Sequence, residues 1–285
     1  MTAKSRRLVL ILCFLFFVVA SPVVLLYTMG YRWDSGLKLY GTGGLYIASS
    51  VSGSKIFVNN KEEKETGFLQ NDLFLQSLMP GKYSVLITKD DYWPWSKKLA
   101  VKEKLVTEAR AFMVPSNPNG KIILRENFSP LESSQYEEIL NILNNLKKPL
   151  DKKATDAQKD LYYSRLSSNS KEKIWWDPQT NKIWAEWLSD SNSLPYFFCD
   201  DKNCSSQLLI YELKTLIKNI DFYPNRKDLI IFAMQNSIYA IEIDGRGGRN
   251  IQPVYKGKDP IFTVYSKDNF LYILDDQNLI QINLK

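Results

Sequence analysis

Few side chains in this sequence are suited to chemistry, and their spacing restricts what they can do. Among 285 residues there is no histidine. That removes the Ser-His-Asp and Cys-His arrangements, the common zinc sets and the most frequent general acid-base group. Cys13 lies in an apolar run, while Cys199 and Cys204 bracket the polar stretch Asp200-Asp201-Lys202-Asn203 between two β-like runs. Two thiolates without a histidine or another exported cysteine do not make a zinc site. A disulfide stapling a hairpin is the favoured reading, and it persists in an oxidising compartment. Strand pairing and Cα separation, which decide whether the bond forms, are not legible at this level.

Carboxylates occur in adjacent pairs at Glu137-Glu138, Asp200-Asp201 and Asp275-Asp276. Glycoside hydrolysis needs two carboxyls facing each other across a substrate. Sequence neighbours diverge on helices and strands, so these pairs read as solvated turns. Gly41-Thr42-Gly43-Gly44 lacks the lysine and helix of a phosphate loop, and Gly245-Arg246-Gly247-Gly248-Arg249 follows a strand but opens no helix. Asp200-Asp201-Lys202-Asn203 and Asp275-Asp276-Gln277-Asn278 lack the ligand alternation and terminal glutamate of a calcium loop. No catalytic residue, metal or cofactor is expected. Asn127-Phe128-Ser129 and Asn203-Cys204-Ser205 fit the glycosylation pattern. Tyr92, Trp93 and Trp95 around Pro94, together with Trp184 and Trp187, are the candidate contacts for a ligand or partner. Such rings stack on sugars or pack at interfaces. For the first three, plugging one end of a domain is the favoured alternative, because aromatics mostly bury apolar area.

The elements that must position these groups begin with a membrane segment. Leu8 to Leu26 is uncharged, and ~20 helical residues cross a ~30 Å hydrocarbon core. Tyr27, Tyr31 and Trp33 fall where interfacial aromatics belong. Lys4, Arg6 and Arg7 precede the run without an acid, whereas Arg32 beyond it is soon followed by Asp34, which predicts a cytoplasmic N-terminus. Cleavage after Ala20 as a signal peptide is the alternative, disfavoured because the apolar run continues beyond that point. The formal charge of +6 is spread along the chain without the dense basic block that nucleic acid requires. Membrane lipid, through the helix, is the first expected partner.

About 250 residues follow, enough for two domains. Strand-like runs at Leu45–Ser49, Lys55–Val58, Leu73–Leu75, Tyr83–Ile87, Lys97–Val101 and Thr107–Phe112 have the even spacing of an antiparallel sandwich. Asn59-Asn60 and Met79-Pro80-Gly81-Lys82 are its turn signals. Leu45-Tyr46-Ile47, the run Ser49 to Asn60 with Gly53 at its bend, Glu65-Thr66-Gly67-Phe68, Leu78-Met79-Pro80-Gly81-Lys82-Tyr83, and Lys89-Asp90-Asp91-Tyr92 with Trp95 resemble the PEGA domain, a small β-sandwich of envelope proteins. The resemblance covers about Gly43 to Pro115 and implies structure and adhesion, not catalysis. It departs from the family at Val51-Ser52-Gly53-Ser54, where only the glycine of the naming motif is kept, and at Asp91, where a glycine is usual.

Ser116 to Gly120 reads as a boundary. Ser134 with Glu137 then predicts a capped amphipathic helix through Leu146, stopped by Pro149. Three later units, each with several strands at a spacing near ~40 residues, suggest propeller blades. Asp221 to Gly245 in particular resembles a blade of TolB-like or WD-type propellers. Three units are fewer than the ~4 to 8 of a closed ring, so self-association is one way of completing it.

The expected architecture is therefore mainly β: a cytoplasmic tail (1–7), a transmembrane helix (8–28), a juxtamembrane connector (29–42), a PEGA-like sandwich (43–115), a linker with one amphipathic helix (116–170) and partial propeller-like blades (171–285). The expected function is a non-enzymatic, membrane-tethered envelope protein whose ectodomain binds cell-wall or surface polymer, or another envelope protein. An envelope polysaccharide-acting enzyme using carboxylates on a propeller face is the alternative.

Overall fold

The computed structural model describes residues 3–33, 36, 38–123, 130–148, 150–151, 153–265 and 267–284. It is mainly β, with one N-terminal apolar helix and several small sheets, none of them closed. Helix α1 (Ala3–Thr28) has a mean hydropathy of 3.0 over its best window and buries 0% of it. Beyond Arg7 it carries no charge on any face, the pattern that contact with lipid would require. Its start at Ala3 carries the helix through most of the residues read as a tail. Gly30, at φ 81°, ends it in the left-handed conformation that glycine adopts without steric cost. The expected connector then pairs with itself, β1 (Tyr31–Trp33) against β2 (Leu39–Gly41). Asp34 lies outside the described residues.

Two sheets form the sandwich. One has the order β6 (Asp72–Leu78), β3 (Gly43–Ala48), β9 (Val106–Arg110). The other runs β5 (Lys61–Glu65), β4 (Lys55–Val58), β7 (Gly81–Thr88), β8 (Trp95–Val101). Leu45, Ile47, Ile56, Val85, Ile87 and Leu99 fill the space between them. Asn59 and Asn60 both take positive φ, 49° and 66°, as the hairpin between β4 and β5 requires. Asp91 also does, at 64°, in the position where the resemblance expected glycine. Two features differ from the expectation. The sandwich is not wholly antiparallel, because β3 pairs β9 in parallel. β5 was not anticipated, since Lys61-Glu62-Glu63-Lys64-Glu65 has no apolar residue; it is an edge strand, where charges are favoured.

The C-terminal half holds three antiparallel four-stranded sheets. The first is β11 (Ser164–Leu166), β12 (Glu172–Asp177), β13 (Lys182–Trp187), β14 (Gln207–Glu212). The second is β15 (Ile217–Phe222), β16 (Leu229–Met234), β17 (Ser237–Glu242), β18 (Ile251–Lys256). The third comprises β19 (Ile261–Val264), β20 (Leu271–Asp275), β21 (Asn278–Ile282) and, at its edge, β10 (Gly120–Ile123). The segment read as a linker thus supplies a strand to the last sheet, with Gly120 opposite Ile282. Sheets one and two share a core through Ile174, Trp176, Ile220 and Phe232. The opposite face of sheet two joins sheet three and the sandwich in one continuous core.

The amphipathic helix exists but starts earlier than read: α2 spans Pro130–Lys147, so Ser134 and Glu137 lie inside it. Proline is well suited to a first turn, which is why the cap signal four residues on misplaced the start. Ile139 and Leu143 of α2 are fully buried against the outer face of sheet three. A second helix, α3 (Asp156–Tyr163), was missed although Thr155 and Gln158 form a complete capping box. Pro149 and Asn127-Phe128-Ser129 lie outside the described residues.

Candidate functional site

The sandwich meets sheet two through polar groups that neither half satisfies alone. β8 alternates strictly, so Lys97 points the same way as Trp95 and Leu99, into the protein. Its Nζ lies 3.3 Å from Glu242 Oε2, 3.3 Å from Asp244 Oδ2 and 2.8 Å from the Asp244 carbonyl. Burial raises the Glu242 carboxyl above its ordinary range, against the opposing pull of Lys97 and hydrogen bonds from Asn250. Gln252 accepts from the Val114 amide at 2.8 Å and donates to the Pro94 and Phe112 carbonyls at 3.2 and 3.3 Å.

Gly245-Arg246-Gly247-Gly248-Arg249 works as a bracket at this junction. Gly247 has φ 67°, and a Cβ there would sit 2.3 Å from the Lys98 carbonyl oxygen, so only glycine allows the approach. Arg246 makes a bidentate pair with Asp244 at 2.9 and 2.8 Å and donates to the Glu108 carbonyl at 2.6 Å. The disulfide hairpin holds the bracket from the other side. Cys199 and Cys204 are bonded, with Cα atoms 3.9 Å apart. The Cys199 carbonyl accepts from the Gly245 amide at 2.8 Å, and Asp201 Oδ1 accepts from Gly247 N–H at 2.7 Å. Asp200, whose carboxylate accepts from the Lys202 and Asn203 amides at 2.7 and 2.9 Å, shapes the loop. The acidic pair is structural, and so is Asp275, which accepts from Tyr255 and the Lys258 and Asp259 amides.

Beside the junction lies an open cleft of about 750 Å³, its walls including Glu108, Arg110, Tyr196, Asp221, Arg226 and Asp228. Arg226 binds Asp228 through two 2.7 Å hydrogen bonds, and Arg110 binds Glu108 at 2.8 Å. Asp221 differs. Burial pushes its carboxyl up to about 6, opposed by Arg165 and by backbone hydrogen bonds, one of them from Phe222 N–H at 2.7 Å. An acid titrating near neutrality in a cleft can bind a cation or hold a proton for a hydrogen bond. Among the described residues, no group of three or more Cys, Asp or Glu side chains is arranged to hold a metal.

The candidate aromatic contacts separate by environment. Trp95 is buried and donates to Glu242 Oε2 at 3.3 Å; Trp187 is buried and donates to the Asp190 carbonyl at 3.0 Å. Both rings face protein. Tyr92 is half-buried with the Lys89 ammonium 5.0 Å from its ring centroid, and Trp93 is exposed. Trp184 is half-buried on the outward face of sheet one, stacked on Trp175 with centroids 6.1 Å apart and planes 10° from parallel. Trp175 was missed as its companion. The signal was present, since the two tryptophans hold mirrored positions across a hairpin and pair directly. Asp221, Arg226 and Asp228 lie inside the stretch read as a blade, and nothing in that reading gave them a site role.

No known protein family and no curated protein matches this chain. Among solved structures it is similar, at 9% identity and a TM-score of 0.22, to a protein of unknown function from Bacteroides fragilis NCTC 9343 whose membrane association is itself only an assignment. The match covers 86% of this chain and 99% of that one, too loosely to carry an argument.

Proposed function

We propose that this protein is a membrane-tethered, non-enzymatic ectodomain of the cell envelope, in which a PEGA-like sandwich and a three-bladed partial propeller form one recognition body. The observation that carries the reading is the apolar helix α1, none of whose membrane-length window is buried, running directly into a β-rich body. The basic residues before α1 and the Cys199–Cys204 disulfide favour an extracytoplasmic body. The blade reading draws support from the four-stranded sheets packed on shared cores and from β10, which precedes the blades in the chain and forms the edge of the last one. The missing histidine, and the engagement of Glu108, Asp228 and Asp244 by arginines, favour binding over catalysis.

The Trp175–Trp184 stack is the surface best suited to surface polymer, because flat aromatic faces pack against sugar rings. Fractionation of expressing cells tests the tether. The chain is expected with membranes, resistant to high salt and released by detergent, and protease added outside intact cells should degrade it. Recovery in the soluble cytosol, or full protection from external protease, would overturn the reading. A second reading, an envelope polysaccharide-acting enzyme, is favoured by one observation, the raised carboxyl of Asp221 in its cleft. It predicts hydrolysis of cell-wall polysaccharide by purified protein, abolished in Asp221→Asn.

A further inference from the structure

The end of the sandwich that receives α1 is apolar and cationic, and hydrogen bonds hold it at the level where α1 leaves the bilayer. At 1.5 Å per residue, Leu8 to Leu26 uses up the ~30 Å hydrocarbon thickness, so Tyr27 to Tyr31 fall in the headgroup layer. Gly30 O accepts from Thr42 N–H at 2.8 Å and from Thr42 Oγ1 at 2.6 Å; Thr42 O accepts from Lys104 N–H at 2.8 Å; Gly44 N–H donates to Leu105 O at 2.9 Å. Arg32 lies 3.6 Å from the centroid of the Tyr27 ring and donates to Ser77 Oγ at 2.7 Å. Residue 30 is therefore only two hydrogen-bonded steps from residue 104, and Ser77, near the end of β6, is tied to the same level.

The side chains on this face match that depth. Met29, Trp33, Leu105 and Val106 are each more than half exposed, although they are large and apolar. Lys82, Lys102 and Lys104 are exposed at the same end, Lys82 and Lys102 each one residue from the Gly81–Val101 pair, and Lys104 Nζ is 4.8 Å from the Tyr31 ring centroid. Glu103 lies beside Gly41. Exposed Phe68 and Leu69 mark the opposite end, since Ala48 and Asp72 pair there while Gly43 and Leu78 pair at the helix end.

We propose that this basal face is a second membrane contact: Leu105, Val106 and Trp33 enter the headgroup layer of the bilayer that holds α1, and Lys82, Lys102 and Lys104 bind anionic phospholipid headgroups. The ectodomain is then held at a fixed tilt instead of swinging on a tether. This contact depends on the reading of α1 as a membrane span. Interfacial burial of apolar side chains with lysines alongside is the general mode by which surfaces bind anionic bilayers. Lipid is the occupant because the covalently attached helix brings it to this face, and the cations complement it.

The test uses the full chain carrying Cys13→Ser, with the disulfide left oxidised, in nanodiscs of phosphatidylcholine with or without phosphatidylglycerol. A nitroxide is placed at one position at a time in the variants Leu105→Cys, Phe68→Cys and Phe16→Cys, and its collisions with oxygen and with a water-soluble nickel chelate are measured. With phosphatidylglycerol, the label at position 105 should be shielded from nickel and open to oxygen, like that at 16 and unlike that at 68. Each lysine at an anionic surface contributes about five-fold to the docked population, so replacing all three with glutamine should lower the docked-to-undocked ratio about 100-fold. A lipid-like label at 16 with an aqueous label at 105 overturns the basal contact and leaves the anchor intact. An aqueous label at 16 overturns the anchor and the contact together. Shielding at 105 that ignores both phosphatidylglycerol and the lysines overturns the headgroup recognition.

Discussion

Replacing Lys97 with methionine tests how the sandwich and the C-terminal sheets are joined. The side chain is 0% exposed, and its ammonium is 3.3 Å from each of two carboxylates that are 4% and 8% exposed. At an effective dielectric near 20, each pair is worth about 5 kcal/mol of gross Coulomb attraction. Desolvating the three ions consumes much of that. What removal leaves is an under-compensated buried charge, for which about 3–5 kcal/mol of destabilisation is typical. Asp244 keeps its bidentate Arg246, so the loss concentrates on Glu242, which retains hydrogen bonds from Asn250 and the Trp95 indole and the nearby charge of Arg249. For a body of this size the deficit lowers the melting temperature by roughly 6–20 °C. Thermal unfolding in mild detergent, followed by circular dichroism and tryptophan fluorescence, measures it. The pH sign follows from the raised Glu242 carboxyl. A folded-state value above the unfolded one favours the protonated acid, so stability is present at low pH and lost as pH rises through the folded value. Removing Lys97 raises that value further, making the deficit larger at high pH than at low pH. The double variant Lys97→Met, Glu242→Gln should recover more than half of the loss. A loss below about 1 kcal/mol for the single variant, or a double variant no more stable than the single, would refute the reasoning.

Two neighbouring glycines separate close approach from backbone conformation. Gly247→Ala adds a Cβ 2.3 Å from the Lys98 carbonyl and should cost more than about 3 kcal/mol, whereas Gly248→Ala, at φ 90° with open space around it, should cost about 1–2 kcal/mol for the left-handed backbone alone; equal melting temperatures would contradict the bracket. Reduction of Cys199–Cys204, or the paired serine variant, releases a short loop worth about 2 kcal/mol of chain entropy, and loosening should also appear as faster amide exchange at Gly245 and Gly247. Asp221→Asn removes a carboxyl titrating at about 6 in the folded protein and at 3.8 ordinarily, a shift equivalent to at most about 3 kcal/mol. Because the folded value is raised, wild-type stability falls as pH rises through about 6, so the variant should be more stable than wild type at neutral pH and equal to it below about 4; a variant that gains nothing at neutral pH would show that Asp221 is not desolvated.

Much of this fold is legible in local pattern. Leu8 to Leu26 can form only an apolar helix, and the strands at 55–58, 182–187 and 229–234 declare themselves through β-branched and aromatic runs between turn residues. The strands that escaped reading share one cause, which is that each lies at a sheet edge and owes its place to a partner. β5 is a run of lysine and glutamate; β18 carries Pro253, acceptable at an edge; β10 belongs to a sheet whose other strands lie beyond residue 260. The candidate site escaped for a similar reason, because Lys97, Glu242 and Asp244 are ordinary surface residues in sequence and become a buried cluster only when β8 packs beside the end of β17.

The sequence by itself determined the apolar N-terminal helix, the β-rich body, the turns at Asn59-Asn60 and Gly53, and a cysteine pair spaced for a hairpin, all of which depend on periodicity and local backbone sterics. Tertiary structure alone decided that β10 joins β21 across the chain, that Trp95 and Trp187 are core while Trp184 stacks outward on Trp175, and that a glycine-rich loop locks the disulfide hairpin to the sandwich. The physical reason is range. Hydrophobic period and φ preference act over a few residues, whereas the desolvation of a lysine or the fit of a backbone against Gly247 exists only after distant segments have been brought into contact.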